Sequence, residues 1–182
     1  MKRISLWALL RVAGSMTAYG GIRRGVIYGD DNRADIFEVR DQRLLSLADA
    51  TIAIIPNLRL YQEQSGIIGI RTKNFGSEHG LCKTEAFIDQ PTAANCSGFL
   101  VGPKLVATAG HCLSEVDCQD HSLVFGFTVY SSGEFPSAVK RKDVYHCKRI
   151  LKSETTGSQD YALIELDRAV QGHAPLKLAQ RS

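Results

Sequence analysis

Short apolar segments rich in β-branched and aromatic residues recur along the chain after residue 50, each followed by turn residues. The segments with the length and composition of short strands are 51–55, 67–72, 96–101, 105–108, 123–130, 143–151 and 161–166. Gly102-Pro103-Lys104 separates two of them, and its proline and glycine favour a tight turn that makes those two a hairpin. Short strands alternating with turns predict an all-β fold, an antiparallel barrel or sandwich.

The residues before the first predicted strand have a different pattern. Residues 19–49 are expected to form an N-terminal extension, a lead-in like that of a propeptide. Within it, residues 41–50 place Leu44, Leu45 and Leu47 on one side after Asp41, a residue type that caps helix N-termini, so one short helix is predicted. Residues 74–95 are rich in turn formers and are expected to be irregular.

Composition and charge exclude several classes of protein. The chain has 182 residues, 44% hydrophobic and 23% charged, which is typical of a folded domain and not of collagen, disordered or coiled-coil chains. No apolar run approaches the ~20 residues of a spanning helix, so no membrane span is expected. The net charge of +3 is too small and too mixed to indicate nucleic-acid binding, and Lys140-Arg141-Lys142 is interpreted as solvated surface.

The first residues resemble a secretory signal sequence. Lys2 and Arg3 precede a short apolar stretch, 4–10, and the small residues 13–15 offer a cleavage site. Residues 1–18 are therefore a candidate signal peptide, and the expected location is secreted or periplasmic. The alternatives are an ordinary N-terminus and a wrongly chosen start codon.

Five cysteines permit two disulfides and leave one cysteine that is free or paired outside the chain. They are Cys82, Cys96, Cys112, Cys118 and Cys147. The competing interpretation is a metal site built from three of these thiols and two imidazoles, namely Cys112, Cys118, His121, His146 and Cys147. No Cys-x-x-Cys pair or repeated spacing supports that site, so neither a metal nor another cofactor is expected.

The strongest chemical signal is the pentapeptide TAGHC at 108–112, together with an aspartate 49 positions after its histidine. The small residues Ala109 and Gly110 let the backbone turn tightly beside the imidazole of His111. Asp160 opens a predicted strand, and a carboxylate there can accept a hydrogen bond from imidazole Nδ1–H, leaving Nε2 free to take a proton. The pair would then be a general base and its orienting group; the competing interpretations are a packed core histidine and a turn aspartate.

On these residues the chain resembles the trypsin-like serine endopeptidases of the chymotrypsin fold, and in detail their bacterial V8-like branch. The similar segments are CSGFLVGPKLVATAGHC at 96–112, VFGF at 124–127 and DYALIELDRAV at 160–170. The resemblance implies that residues 50–182 form a six-stranded antiparallel β-barrel, the first of the family's two barrels, with the second absent. It also implies that His111 is the catalytic base, that Asp160 orients it, and that the substrate is a polypeptide.

The same resemblance implies a disulfide between Cys96 and Cys112 beneath the histidine. It leaves the other cysteines undecided. Any two of Cys82, Cys118 and Cys147 can form the second bridge, and the sequence does not choose between these pairings.

One feature of the family is missing from these 182 residues. The family's nucleophile lies in a Gly-x-Ser-Gly loop of the second barrel. The Ser-Gly pairs of this sequence begin at Ser65, Ser97 and Ser132, and none of them has a glycine two positions before its serine. The chain is therefore expected to supply the base and the orienting carboxylate of a truncated or incomplete serine protease, the second barrel belonging to a missing segment or a second chain. The alternative is a non-catalytic pseudoprotease that uses the barrel as a binding module.

Overall fold

A computed structural model describes residues 30–179 of the chain. The chain divides into two compact units, Met1–Arg33 and Ala34–Ser182. The second unit contains both the predicted lead-in from Ala34 onward and the predicted barrel. The candidate signal peptide, residues 1–18, lies outside the described residues.

Eleven strands, three short α-helices and four 3-10 turns make up the described part of the chain. The strands are β1 (Thr51–Pro56), β2 (Leu60–Gln64), β3 (Ile67–Ile70), β4 (Lys73–Asn74), β5 (Pro91–Thr92), β6 (Cys96–Gly102), β7 (Leu105–Thr108), β8 (His121–Val124), β9 (Ala138–Lys140), β10 (Val144–Glu154) and β11 (Tyr161–Leu166). The helices are α1 (Gln42–Asp49), α2 (Phe75–His79) and α3 (Asp117–Asp120). The 3-10 turns are Ile36–Glu38, Asn57–Arg59, Gly110–Cys112 and Arg141–Asp143. No helix within residues 30–179 is long and apolar enough to cross a membrane.

Six strands close a barrel in the order β1-β6-β7-β11-β10-β8, and its neighbouring strands are antiparallel. Closure pairs the strand edges that an open sheet would leave exposed. The prediction of a six-stranded antiparallel barrel is confirmed. The β6–β7 hairpin turns at Pro103 and Lys104, where the sequence predicts a tight turn.

Alternating apolar side chains of the strands fill the barrel. In β11 the buried residues are Ala162, Ile164 and Leu166, each at most 2% exposed, and the residues between them are more accessible. This period of two is what a strand with one face on a core requires. All six strands contribute to one core cluster, which includes Ile52, Ile54, Leu100, Val106, Leu123, Tyr145, Ile164 and Leu166.

A smaller sheet, with strand order β2-β3-β9, accompanies the barrel. Ile68 and Ile70 of β3 and Val139 of β9 form a second buried cluster with Ile55 and Val124, which belong to barrel strands. The sheet is therefore packed against the barrel. Of its three strands, only β3 corresponds to a strand predicted from the sequence.

The predicted strand at 123–130 is wrong over most of its length. β8 ends at Val124, and Gly126 has a φ of +75°, a left-handed conformation that interrupts an extended strand. Phe125 and Val129 are nevertheless buried, at 0% and 6% exposure. The apolar pattern of this segment thus reports burial in irregular structure and not extension.

The predicted short helix is confirmed as α1, and the side chain of Asp41 accepts a hydrogen bond from the backbone N–H of Arg43 at 2.8 Å. Its leucines are less buried than a core-facing helix would require, since Leu44 and Leu47 are 53% and 51% exposed. The segment 74–95, expected to be irregular, contains α2 and β5.

Candidate active site

The register between β7 and β11 brings His111 and Asp160 together. Thr108, the last residue of β7, lies opposite Ala162 of β11. Because the two strands are antiparallel, the segment leaving β7 and the segment entering β11 lie at the same end of the barrel. His111 follows β7 on the 3-10 turn Gly110–Cys112, and Asp160 immediately precedes β11.

One carboxylate binds both the side chain and the backbone of the histidine. His111 Nδ1 donates to Asp160 Oδ2 at 2.7 Å, and the backbone N–H of His111 donates to Asp160 Oδ1 at 3.1 Å. Both side chains are exposed, 66% for His111 and 47% for Asp160. Within residues 30–179 no group forms a hydrogen bond to His111 Nε2.

The protonation state of the pair follows from these bonds. The hydrogen bond from the His111 side chain, followed by the bond from its backbone N–H, lowers the pKa of Asp160 below its ordinary value of 3.8. The carboxylate is therefore ionised at neutral pH, and an ionised carboxylate accepts hydrogen bonds without donating any. Nδ1 must then hold a proton, which in a neutral imidazole leaves Nε2 with the free lone pair.

A disulfide and a hydrogen bond hold the turn that carries His111. A disulfide joins Cys96, at the start of β6, to Cys112, at the end of the turn, with a Cα–Cα distance of 5.8 Å. The hydroxyl of Thr108 donates to the backbone carbonyl of Ser97 at 2.7 Å. Both contacts fix the end of β7 to the start of β6, so the backbone beneath the imidazole has little freedom.

Gly110 is required by a close approach of two backbones. A Cβ at this position would lie 2.4 Å from the carbonyl oxygen of Glu154 and 2.8 Å from Cγ2 of Thr155. The turn therefore packs directly on the end of β10, where no larger residue fits. Thr156 donates two hydrogen bonds to Oε1 of Glu154 and so orders the loop that leads to Asp160.

The remaining cysteines bear on the metal interpretation. A second disulfide joins Cys118 of α3 to Cys147 of β10, and Cys82 is free and exposed. Three members of the metal set considered from the sequence are thus bonded sulfurs and not thiolate ligands. The group Cys96, His111 and Cys112 is compact, with ligand atoms within 4.8 Å of one another, but its two sulfurs are bonded to each other.

The other histidines of the described chain have different partners. His121 Nδ1 lies 2.9 Å from the carbonyl oxygen of Asp117, and His146 Nδ1 lies 3.3 Å from Ser122 Oγ. The His173 side chain is 13% exposed and binds Asp49 through Nδ1 at 2.9 Å. No sequence signal connects these last two residues, because they lie 124 positions apart.

No serine of the described residues forms a hydrogen bond to the His111 side chain. Ser97, one of the three serines of the Ser-Gly pairs, lies in β6 and binds Thr108 through its carbonyl, a backbone contact. The described residues therefore contain a histidine–carboxylate pair with no serine bonded to its imidazole.

Comparison with known families gives the class of this protein. The family model described as Trypsin matches residues 72–182. The chain therefore belongs to the trypsin family, the trypsin-like serine proteases of the chymotrypsin fold. The matched segment contains His111, Asp160 and five of the six barrel strands, whereas β1 lies before it.

Among solved structures, 109 chains match this one. One of them is the VesB protease of Vibrio cholerae, with 14% identity and a TM-score of 0.39, covering 72% of this chain and 30% of that one. The chain thus spans less than a third of the length of this relative. No curated protein matches the chain.

Proposed function

We propose that this chain supplies the general base, His111, and its orienting carboxylate, Asp160, to a serine endopeptidase. The observation that supports this most strongly is the 2.7 Å bond between His111 Nδ1 and Asp160 Oδ2, with Nε2 unbonded among the described residues. Membership of the trypsin family adds the class of reaction, hydrolysis of a peptide bond. The substrate is accordingly a polypeptide.

The proposed chemistry uses the two ends of one imidazole. A serine hydroxyl placed at Nε2 transfers its proton there as its oxygen attacks the peptide carbonyl, and the resulting imidazolium returns that proton to the leaving amine. Water then repeats the sequence and releases the acyl group from the serine. Asp160 remains ionised throughout, holds the ring in place and stabilises the imidazolium.

The serine, the oxyanion donors and the specificity pocket are assigned to a second barrel, in the same polypeptide or in another. Loss of one oxyanion donor alone costs about 10²–10³ in rate, and here the nucleophile would be missing as well. We therefore expect the isolated 182 residues not to hydrolyse peptides in a His111-dependent way. The two disulfides support an oxidising, extracellular or periplasmic location.

The experiment compares two forms of the protein on a casein substrate. The complete reading frame of the gene is read for a Gly-x-Ser-Gly segment after residue 182 and expressed whole, beside the 182-residue chain. The complete chain should hydrolyse casein, and His111→Ala or Asp160→Asn should lower kcat by about 10⁴ or more. Activity of the complete chain that survives His111→Ala would overturn the assignment of the base.

The second candidate is a non-catalytic binding module on the same barrel. In this candidate the closed barrel binds a partner and needs no nucleophile. A reading frame that supplies no such segment, in the chain or in a co-purifying subunit, would favour this candidate. His111-dependent turnover by the 182-residue chain would contradict both candidates in their present form.

A further inference from the structure

A groove of about 1000 Å³ lies between the sheet β2-β3-β9 and the barrel, lined also by residues of β8 and β10. It includes Asp167, which follows β11, whereas Asp160 precedes that strand. A strand rises ~3.3 Å per residue, so the groove is about 20 Å from the catalytic pair. A molecule bound here would occupy a site separate from His111.

The rim of the groove is strongly basic. Lys140, Arg141 and Lys142 are consecutive, exposed and all part of the lining. Within residues 30–179, Lys140 and Arg141 have no carboxylate within salt-bridge distance, and Lys142 Nζ lies 3.5 Å from Asp143 Oδ1. Two cations are therefore free to bind an anionic partner.

The acidic residue of the lining is already neutralised. Asp167 accepts from Nη1 of Arg168 at 3.0 Å and from the backbone N–H of His146 at 3.1 Å. Arg168 in turn donates through Nη2 to the carbonyl of Val144 at 2.8 Å and lies over the ring of Tyr145, 4.0 Å from its centroid. These groups form a fixed wall, so the net charge facing a ligand is that of the basic rim.

The groove also has an apolar surface. Its accessible part is formed by the half-buried Leu60 and the 39% exposed Tyr61, whereas Ile68 and Val144 of the same lining are buried, at 9% and 7% exposure. A free phosphate or a bare polyanion would leave this surface unused, whereas a peptide brings apolar side chains and carboxylates together. The combination therefore favours a protein segment over a simple anion.

We propose that this groove is a docking site for an acidic peptide segment of a partner protein. The carboxylates of the segment pair with Lys140 and Arg141, where the planar guanidinium of Arg141 can hold a carboxylate through two parallel hydrogen bonds. An apolar side chain of the segment packs on Tyr61 and Leu60. The site is independent of catalysis, because no residue of the pair His111–Asp160 takes part.

The test measures binding of a fluorescein-labelled dodecapeptide of glutamates with a central phenylalanine, by fluorescence anisotropy on the purified chain. The same peptide with glutamine for every glutamate is the neutral control. The acidic peptide should bind at least tenfold more tightly, and the difference should shrink when salt is raised from ~50 to ~500 mM. Equal affinity for both peptides would overturn the proposal.

A charge-matched pair of variants separates the groove from the overall charge of the protein. Lys140→Glu with Arg141→Glu should weaken the acidic peptide about tenfold or more. Lys83→Glu with Lys152→Glu makes the same change in net charge at exposed positions outside the groove, and should change the affinity less than twofold. An equal loss in both double variants would show attraction by net charge alone and would contradict the site.

Two further measurements cover a variant that does not fold and a ligand of another class. If the charge-reversed variant does not fold by circular dichroism, Lys140→Gln with Arg141→Gln replaces it, and should still weaken binding severalfold. Heparin, a sulfated polysaccharide, is titrated as the alternative ligand class. Binding of heparin without binding of the acidic peptide would overturn the proposal in favour of a polysaccharide site.

Discussion

Two histidines of this chain bind an aspartate through Nδ1, but they differ in how far their side chains are exposed to solvent. His111 binds its carboxylate at 2.7 Å and His173 at 2.9 Å. The His111 side chain is 66% exposed, whereas that of His173 is 13% exposed. His173 stacks on Phe125 with ring centroids 4.2 Å apart, and its Nε2 lies 3.6 Å from Oδ1 of Asp143.

The difference shows that a histidine–carboxylate pair does not by itself define a base. A general base needs a lone pair that a substrate group can reach, and only the exposed cluster of these two offers one. His173 instead connects the chain after β11 to α1 through Asp49, and to the 3-10 turn that contains Asp143. Exposure of the imidazole thus distinguishes the pair proposed to be catalytic from a packing one.

Removal of a disulfide should cause the largest loss of unfolding free energy. One of the two disulfides also lies beneath His111. Cys96→Ser with Cys112→Ser opens a bridge between residues 16 positions apart, which should cost about 3 kcal/mol in urea unfolding. It should also change the imidazole ¹⁵N spectrum of His111, since the turn beneath the ring is released.

The second disulfide provides the matched control for this prediction. Cys118→Ser with Cys147→Ser opens a bridge between residues 29 positions apart and should cost slightly more, about 3.6 kcal/mol. It should leave the His111 spectrum unchanged. If both double variants changed that spectrum alike, the Cys96–Cys112 bridge would have no particular part in positioning His111.

The next effect distinguishes the two histidines by stability. His173→Ala should lower the free energy of unfolding by about 2 kcal/mol, because it removes a largely enclosed ring that stacks on Phe125. It also removes Nε2 of His173, which lies near Asp143 Oδ1, a buried oxygen without a hydrogen bond among the described residues. His173→Phe keeps the stack and should lose less.

The exposed histidine serves as the comparison in the same urea experiment. His111→Ala should change the free energy of unfolding by about 0.5 kcal/mol or less, as for other surface substitutions. Equal losses at the two positions would contradict the division into a packed cluster and an open one.

The smallest effect is a shift in the acid titration of Asp160. Because folding lowers its pKa, this carboxylate stabilises the protein above the unfolded-state pKa of ~3.9, and that stabilisation is lost as the pH falls through the lower folded value. In ¹³C NMR the carboxyl should titrate below 3.8, and His111→Ala should move its midpoint upward, since the largest cause is removed. A midpoint at or above 3.8 in the unaltered protein would contradict the hydrogen-bonded geometry.

The barrel could be predicted because its signals are local. Alternation of buried residues, as in β11, and turn residues such as Pro103 mark strands and hairpins without knowledge of the rest of the fold. β2 and β9 were not predicted. The sequence of β2, LYQEQ, is mostly polar, and that of β9, AVK, is only three residues long. Their strand conformation comes from pairing with β3, a tertiary contact.

The candidate site could be predicted in part. TAGHC and the strand-opening Asp160 pointed to both residues, but their proximity depends on the β7–β11 register, which spacing alone does not give. The contact of Gly110 with the carbonyl of Glu154 and the choice of Cys118–Cys147 are likewise properties of the folded backbone. The same holds for the His173 cluster, whose members are remote in sequence.

The proposed role of His111 requires that Asp160 hold its ring with Nε2 free as a base, and ¹⁵N NMR of the imidazole tests this most directly. In the neutral ring at alkaline pH, we expect a proton on Nδ1, an unprotonated Nε2, and loss of this preference in Asp160→Ala. A ring protonated on Nε2, or a tautomer ratio that Asp160→Ala leaves unchanged, would contradict it.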